Sequence, residues 1–172
     1  MTTPPALTRA IRSSSLGLLN MTARIAAIYI SPSATVLPHI VGEVEARVRR
    51  GLVGDRYFDG CGTFSAADSK GPGRELTLIE SEVLAELQLP AADARRNLVT
   101  EGIVLNELVG VTFRIGEVLI EGIRLCHPCA HLDTVTGLKL LKPLDNRGGL
   151  RASILNDGII RKGDLITLVA ES

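Results

Sequence analysis

The run Leu125-Cys126-His127-Pro128-Cys129-Ala130-His131-Leu132-Asp133 concentrates the reactive side chains of this sequence. Two of the three cysteines and two of the three histidines fall between Cys126 and His131. A thiolate is a soft nucleophile and a soft metal ligand, and a histidine beside it can tune it or carry a proton. The run follows Glu117 to Arg124, where Val118, Ile120 and, less regularly, Ile123 suggest one buried face of a strand. It precedes a stretch expected to turn into a helix. A thiol at such a junction can receive backbone N–H groups and the positive end of a helix dipole, which favours thiolate.

Residue types alone leave several chemistries open. Cys126-x-x-Cys129, with His127 or His131 as a third ligand and Cys61 as a fourth, is the donor set of a structural zinc site. The same pair is a redox dithiol in a βαβ context, which this sequence lacks. Buried, inert cysteines are the plain alternative. His131 either tunes the thiol and relays a proton or packs against a carbonyl. Arg95-Arg96-Asn97 is either an exposed cationic pair ending a helix or a guanidinium cradle for phosphate. Arg56, which follows Gly54-Asp55, either lines an anion pocket or makes an ion bridge with Asp55 that closes the turn. Arg147 and Arg151 flank Gly148-Gly149, where backbone can approach a ligand closely, and Arg74 is a further phosphate partner.

The elements that must hold these residues follow from periodicity. Ile25 to Ile30 is apolar and β-branched, and Ser31-Pro32-Ser33 ends it. Val44, Ala46 and Val48 alternate with charged residues as in a half-buried strand, which Gly51 to Arg56 breaks. Asp59 to Gly73, with Cys61 and four glycines, is expected to be a long mobile loop, a lid or entrance. Arg74 to Ile79 is a strand, and Glu80 to Gln88 a helix with Ser81 as N-cap, stopped by Leu89-Pro90. Thr112 to Gly116 and Glu117 to Arg124 form a pair hinged at Gly116. Leu150 to Leu155 and Leu165 to Val169 are the last strands, while His39, beside Pro38, is assigned to a loop. Seven or eight short strands with few short helices predict a mainly β fold, a closed or nearly closed β-barrel.

Composition narrows the classes. With 172 residues and 45% of them hydrophobic, the chain can bury one real core. Lys plus Arg and Asp plus Glu balance at 19 each, and there are no Trp, two Tyr and three Phe. Nucleic acid is therefore not an expected partner. No apolar run reaches the roughly 18 residues of a membrane span, so no membrane partner is expected. An odd number of cysteines and no secretory leader favour a reducing, cytoplasmic setting. Residues 1–22, with Arg9, Arg12, the serines 13–15 and Met21, read as a disordered leader or a start assigned too early. A transit peptide is the other reading. Residues 23–172 then make the single domain. No dinucleotide-binding G-x-G-x-x-G and no phosphate-loop motif occurs.

In their order, several segments resemble the MOSC domain, the module named after the C-terminal part of molybdenum cofactor sulfurases. They are Gly51-Leu52-Val53-Gly54-Asp55-Arg56, Arg74-Glu75-Leu76-Thr77-Leu78-Ile79 and Arg95-Arg96-Asn97-Leu98-Val99-Thr100-Glu101-Gly102-Ile103. Gly110-x-x-Phe113-x-Ile115-Gly116, Pro128-Cys129, Arg147 to Ala152 and Gly158-x-Ile160-x-x-Gly163-Asp164-x-Ile166 follow. The resemblance spans roughly residues 25 to 170 and implies a barrel of the pyruvate kinase-barrel-like kind, organised around one cysteine.

In stand-alone and amidoxime-reducing members that cysteine is thought to ligate the metal of the molybdenum cofactor (molybdopterin), and some members reduce N-hydroxylated compounds. The family's cysteine often follows a proline, which selects Cys129 as metal ligand. Counting back from Thr136-Gly137 in the amidoxime-reducing pattern points nearer Cys126. Arg95, Arg96 and Asn97 would then hold the pterin phosphate, with Arg56, Arg74, Arg147 and Arg151 as further cofactor-binding candidates. Cys129, Cys126 and His131 are the catalytic candidates. In related small members a histidine often precedes the arginine that aligns with Arg147; here Asn146 stands there, which weakens the case for an acid–base role at that place. No pyridoxal phosphate is expected in this chain.

Three functions follow: a molybdenum-cofactor oxidoreductase fed by a separate electron-donor protein, a persulfide carrier loaded by a cysteine desulfurase, or a structural zinc or interaction module. The first takes a small-molecule substrate, and a homodimer is left open.

Overall fold

Four successive buried side chains, Leu76, Thr77, Leu78 and Ile79, mark β5 (Leu76–Glu80) as covered on both faces. The computed structural model describes residues 23–61 and 72–170, with Val135 described in its backbone alone. The expected leader (1–22) and most of the expected lid (62–71) lie outside the described residues. Among the described residues, β1 (Arg24–Ile30), β2 (His39–Val41), β5, β6 (Leu98–Glu101), β7 (Thr112–Ile115), β8 (Val118–Leu125), β9 (Leu150–Ile154) and β11 (Ile166–Leu168) form one eight-stranded sheet in the order β11-β7-β8-β9-β5-β6-β1-β2. β10 (Gly158–Arg161), β3 (Glu43–Arg47) and β4 (Gly51–Leu52) form a second sheet, with β3 in the middle.

The large sheet curls as the mainly β expectation requires. It is a half-barrel without full closure, in which β1 touches the segment leading into β11. The contact is a single antiparallel bridge, Arg24 to Leu165, flanked by Ile25 N–H donating to the Asp164 carbonyl at 2.9 Å and Ile166 N–H to the Ala23 carbonyl at 2.9 Å. Inside lie Ile25, Ile28, Leu76, Leu78, Leu98, Phe113, Ile115, Ile120 and Leu150, all fully buried, with Val44 and Ala46 of β3 covering one side. The irregular position of Ile123 has a cause: β8 carries a bulge between Gly122 and Arg124, which turns the alternation over.

β5 and β6 run parallel, so the chain must cross over between them. It does so through α1 (Ser81–Glu86) and α2 (Ala91–Ala94), whose Val83, Leu84 and Ala94 pack with Ile79 and Val99 in a second apolar cluster outside the barrel. α3 (Ala130–Thr136) adds Leu132 to that cluster. A short 3-10 helix (Leu105–Leu108) stands between β6 and β7.

Three local expectations are corrected. Glu80, not Ser81, occupies the N-cap position of α1, but its side chain caps nothing there: its carboxylate accepts from Leu105 N–H at 2.7 Å, outside the helix. His39 is in a strand, because Ile30 of β1 offers it a backbone partner that the local sequence does not reveal. Gly148 and Gly149 admit backbone to backbone, not backbone to ligand. A Cβ on Gly148 would stand 2.3 Å from the Cys126 carbonyl oxygen, and one on Gly149 (φ +101°) 1.9 Å from that of Leu78. Among the described residues, no helix is long and apolar enough to cross a membrane.

Candidate functional site

The register of the large sheet brings distant segments to one rim. Thr77 of β5 pairs with Arg151 of β9, Arg151 also pairs with Arg124 near the end of β8, and Leu78 pairs with Leu98 at the start of β6. Cys126 to Cys129 leave the rim from β8, and Arg95 to Asn97 enter it before β6.

The two thiols diverge there. Cys126 N–H donates to the Gly149 carbonyl at 2.7 Å, which extends the β8–β9 ladder by a residue and turns the side chain inward, 1% exposed. Pro128 then ends the extended run, and Cys129 takes the N-cap position of α3 with β backbone (φ −133°, ψ 161°). Cys129 is half-buried, and among the described residues its side chain makes no cap hydrogen bond to the N–H groups that open α3. Cys61 is exposed, and all three cysteines are free. His127 and His131 are both exposed beside Cys129. Asp133 is taken up by the fold: its Oδ1 accepts from Leu140 N–H at 2.7 Å.

The arginine-rich segments divide into frame and lining. Asn97 Oδ1 accepts from Thr77 N–H at 3.2 Å and Thr77 Oγ1 at 3.0 Å, while its Nδ2 donates to the Tyr29 carbonyl at 3.4 Å. These bonds lock the entrance of β6 against β5 and β1. Arg96 is 8% exposed and donates from Nε to the Gly148 carbonyl (3.0 Å) and from Nη1 to the Ala94 carbonyl (3.1 Å). Arg95 ends α2 in the left-handed region (φ 55°), a place usually given to glycine, and donates from Nη2 to the carbonyls of Ala34 (2.8 Å) and Val36 (3.3 Å).

Asp55 is buried, and its oxygens accept from Ser31 N–H at 2.9 Å and Tyr57 N–H at 3.2 Å. It closes the turn through the main chain. Arg56 Nη1 stands 3.9 Å from Asp55 Oδ1, a loose pair, and its guanidinium lies 4.9 Å from the Tyr57 ring centroid. Arg56 is 8% exposed, and its Nε is buried without a hydrogen-bond partner among the described residues.

Arg56, Arg95, Arg96, Arg151, Asn97, His131 and Cys129 line one cleft, together with His127, Tyr57, Thr77, Ala34 and Leu132. Its enclosed volume is about 90 Å³. Burial first, and then the neighbouring charge of Arg56, lower the pKa of Arg95. The same two kinds of cause, burial and then Arg151 and Arg74, lower that of Arg124. Positive charge thus gathers on this rim in a chain of zero net charge.

Cys126, Arg74 and Arg147 are not among the lining residues. Arg147 forms a two-pronged pair with Glu86 (3.1 and 3.0 Å) on an exposed surface. Tyr57 and Thr77 were not singled out by the sequence; Tyr57 adjoins a candidate arginine, while Thr77 reads as a core strand residue. Among the described residues, no three His, Cys, Asp or Glu side chains are grouped to hold a metal, so the zinc reading has no ligand set.

The comparison with known families decides the affiliation: the MOSC domain model matches residues 72–167. This chain belongs to the MOSC domain family. Solved structures share the MOSC fold seen here. The YuaD protein of Bacillus subtilis superposes with a TM-score of 0.68 at 14% identity, over 84% of this chain and 93% of its own. YiiM from Geobacillus stearothermophilus gives 0.65 at 17% identity, over 86% and 75%. YiiM from Escherichia coli gives 0.60 at 23% identity, over 87% and 71%. Among curated proteins, none matches this MOSC chain.

Proposed function

We propose that this MOSC protein holds a molybdenum–pterin cofactor in the rim cleft, with the Cys129 thiolate as the metal's protein ligand. We further propose that it reduces N-hydroxylated or related N–O and oxo substrates with electrons from a separate donor protein. The observation that carries the reading is the sharing of one cleft by a half-buried thiol and four guanidinium groups, Arg56, Arg95, Arg96 and Arg151. Softness suits the thiolate to molybdenum, and guanidinium suits the phosphate that ends the cofactor.

The residues fit such a group on their own chemistry. A buried Arg56 Nε without a partner among the described residues is the kind of donor an anionic ligand satisfies. The enclosed 90 Å³ is far below the several hundred Å³ of a site that surrounds a whole drug-sized ligand, so it can enclose only one end of the cofactor.

When bound, the cofactor would supply two-electron redox chemistry at the metal. The chain's own part is narrower. Cys129 holds, the arginines orient and neutralise, and His127 and His131 at the mouth donate protons. Reduction of an N-hydroxyl group consumes two electrons and two protons, cleaves the N–O bond and releases water. No flavin, haem or iron–sulfur motif occurs in the sequence, so the electrons are assigned to a partner.

Protein purified from a molybdenum-replete host is expected to carry molybdenum and to release a fluorescent oxidised pterin. Metal-free protein bearing a cyanide-labile sulfur on Cys129 would overturn this reading in favour of the persulfide carrier.

A further inference from the structure

The two ends of the eight-stranded sheet are finished differently. At one end the segment leading into β11 touches β1 through the Arg24–Leu165 bridge and the two main-chain bonds beside it. At the other end β2 pairs with β1 and, among the described residues, with no other strand. Its register sets Ile28 against Val41, Tyr29 against Ile40 and Ile30 against His39. β1 fixes which way the main-chain groups of β2 point. Tyr29 donates its N–H to the Asn97 carbonyl at 2.7 Å, and its own carbonyl accepts from Asn97 Nδ2 at 3.4 Å, so both face β6. Hydrogen-bonded and non-bonded pairs alternate along an antiparallel ladder. Ile28 and Ile30 therefore bond to β2, and Val41 and His39 bond back to them. Ile40, between them, turns its N–H and its C=O outward, to the open edge.

Open edges are commonly guarded by lysine, by an inward charge or by a covering loop. Residues 31–42 contain no Asp, Glu, Lys or Arg. Ile40 and Leu37 are each 58% exposed and Val36 is 43% exposed, so the edge presents hydrocarbon where a charged screen would stand. Its neighbours also limit how far a further strand can pair. Pro38 has no N–H, and the Gly42 carbonyl already accepts from Lys162 N–H at 2.9 Å. What remains centrally is one residue with both groups on offer. Two such residues directly opposed in an antiparallel pair exchange both N–H···O=C bonds. The edge is thus complementary to itself under a two-fold axis through Ile40, and a chain of zero net charge sets no overall repulsion against a second copy.

We infer that β2 is a homodimerisation edge: two copies of this chain pair their β2 strands antiparallel with the axis at Ile40, joining their large sheets into one. Ile40 packs against its counterpart, and Val36 and Leu37 lie beside the axis. So short a ladder gives a dimer that dissociates on dilution. The contact borders the cleft, because the carbonyls of Ala34 and Val36 that hold Arg95 Nη2 belong to the segment entering β2, and Ala34 lines the cleft. The inference does not depend on what the cleft binds.

The test is sedimentation equilibrium of the full chain over a wide range of protein concentration, with amide exchange of β2 followed by NMR at both ends of that range. Wild type is expected to move from the mass of one chain to that of two as concentration rises. The Ile40 amide is expected to exchange fast when dilute and slowly when concentrated, while His39 and Val41 stay protected throughout. Ile40→Pro removes the outward N–H and spares the β1–β2 bonds, and Ile40→Lys sets like charges against each other across the axis. Each is expected to raise the dimer dissociation constant about tenfold or more. Should Ile40→Pro not fold, Ile40→Lys, at an exposed position, decides alone. A monomer at every concentration with a fast Ile40 amide overturns the inference. So does a monomer with a protected Ile40 amide, which would mean that another segment of the same chain covers the edge. A dimer unchanged in both variants overturns it as well, since the copies would then meet elsewhere.

Discussion

Between Cys126 and Cys129 the chain changes from ladder to helix cap, and that change sets the chemistry of each thiol. Cys126 is held by its N–H to the Gly149 carbonyl and is 1% exposed, whereas Cys129 lines the cleft. Reaction with iodoacetamide under native conditions is therefore expected to modify Cys129 and the exposed Cys61 and to spare Cys126, with all three labelled after denaturation. Peptide mass spectrometry reads the outcome, and equal native labelling of Cys126 would contradict the assignment of sides. Arg96 makes the complementary case. Its two bonds to the Gly148 and Ala94 carbonyls are buried, so Arg96→Ala is expected to cost about 2–3 kcal/mol in urea denaturation. A loss within experimental error would mean that Arg96 is no part of the frame.

At the scale of elements, the site depends on how closely β5 and the Gly148–Gly149 turn approach. Gly149→Ala would drive a Cβ to 1.9 Å from the Leu78 carbonyl in a left-handed backbone, with an expected loss of about 3 kcal/mol or more, read by chemical denaturation. An unchanged midpoint would refute that packing. Glu80, at the junction of β5 and α1, gives a pH signature. Burial raises its pKa, opposed by the hydrogen bond from Leu105 N–H. The folded state then binds this proton more tightly than the unfolded chain. The resulting stability is fully present below the ordinary glutamate range and is lost as pH rises through the raised folded value. Glu80→Gln keeps the acceptor without the charge, so its stability advantage over wild type is expected to grow across that window. Parallel stability–pH curves for the two proteins would contradict this.

The strands were legible because alternation and β-branching are local: Ile25 to Ile30, Thr112 to Ile115 and Leu150 to Ile154 lie where their patterns put them. β2 and the bond from Leu105 N–H to the Glu80 carboxylate were not, because each depends on a partner far along the chain.

For the whole molecule, the cleft is a product of topology. Arg56, the Arg95–Asn97 segment, Cys129 and Arg151 come from four separate stretches, and only sheet order and register join them. Their types could be read from the sequence, and the motif order named the family. Their division into lining and frame could not, since it rests on hydrogen bonds to carbonyls of Gly148, Ala94 and Tyr29 that no local pattern encodes. The barrel interior and the outer cluster around α1 to α3 stiffen the two sides of the rim. Cys129 packs against the outer cluster while Cys126 is buried, and on the proposed function this asymmetry predicts which thiol retains the metal. The decisive measurement is the molybdenum-to-protein ratio of Cys129→Ala and Cys126→Ala beside wild type, each purified from the same molybdenum-replete host. Molybdenum in wild type and Cys126→Ala but lost from Cys129→Ala is the predicted result; equal molybdenum in all three, or loss only with Cys126, would contradict it.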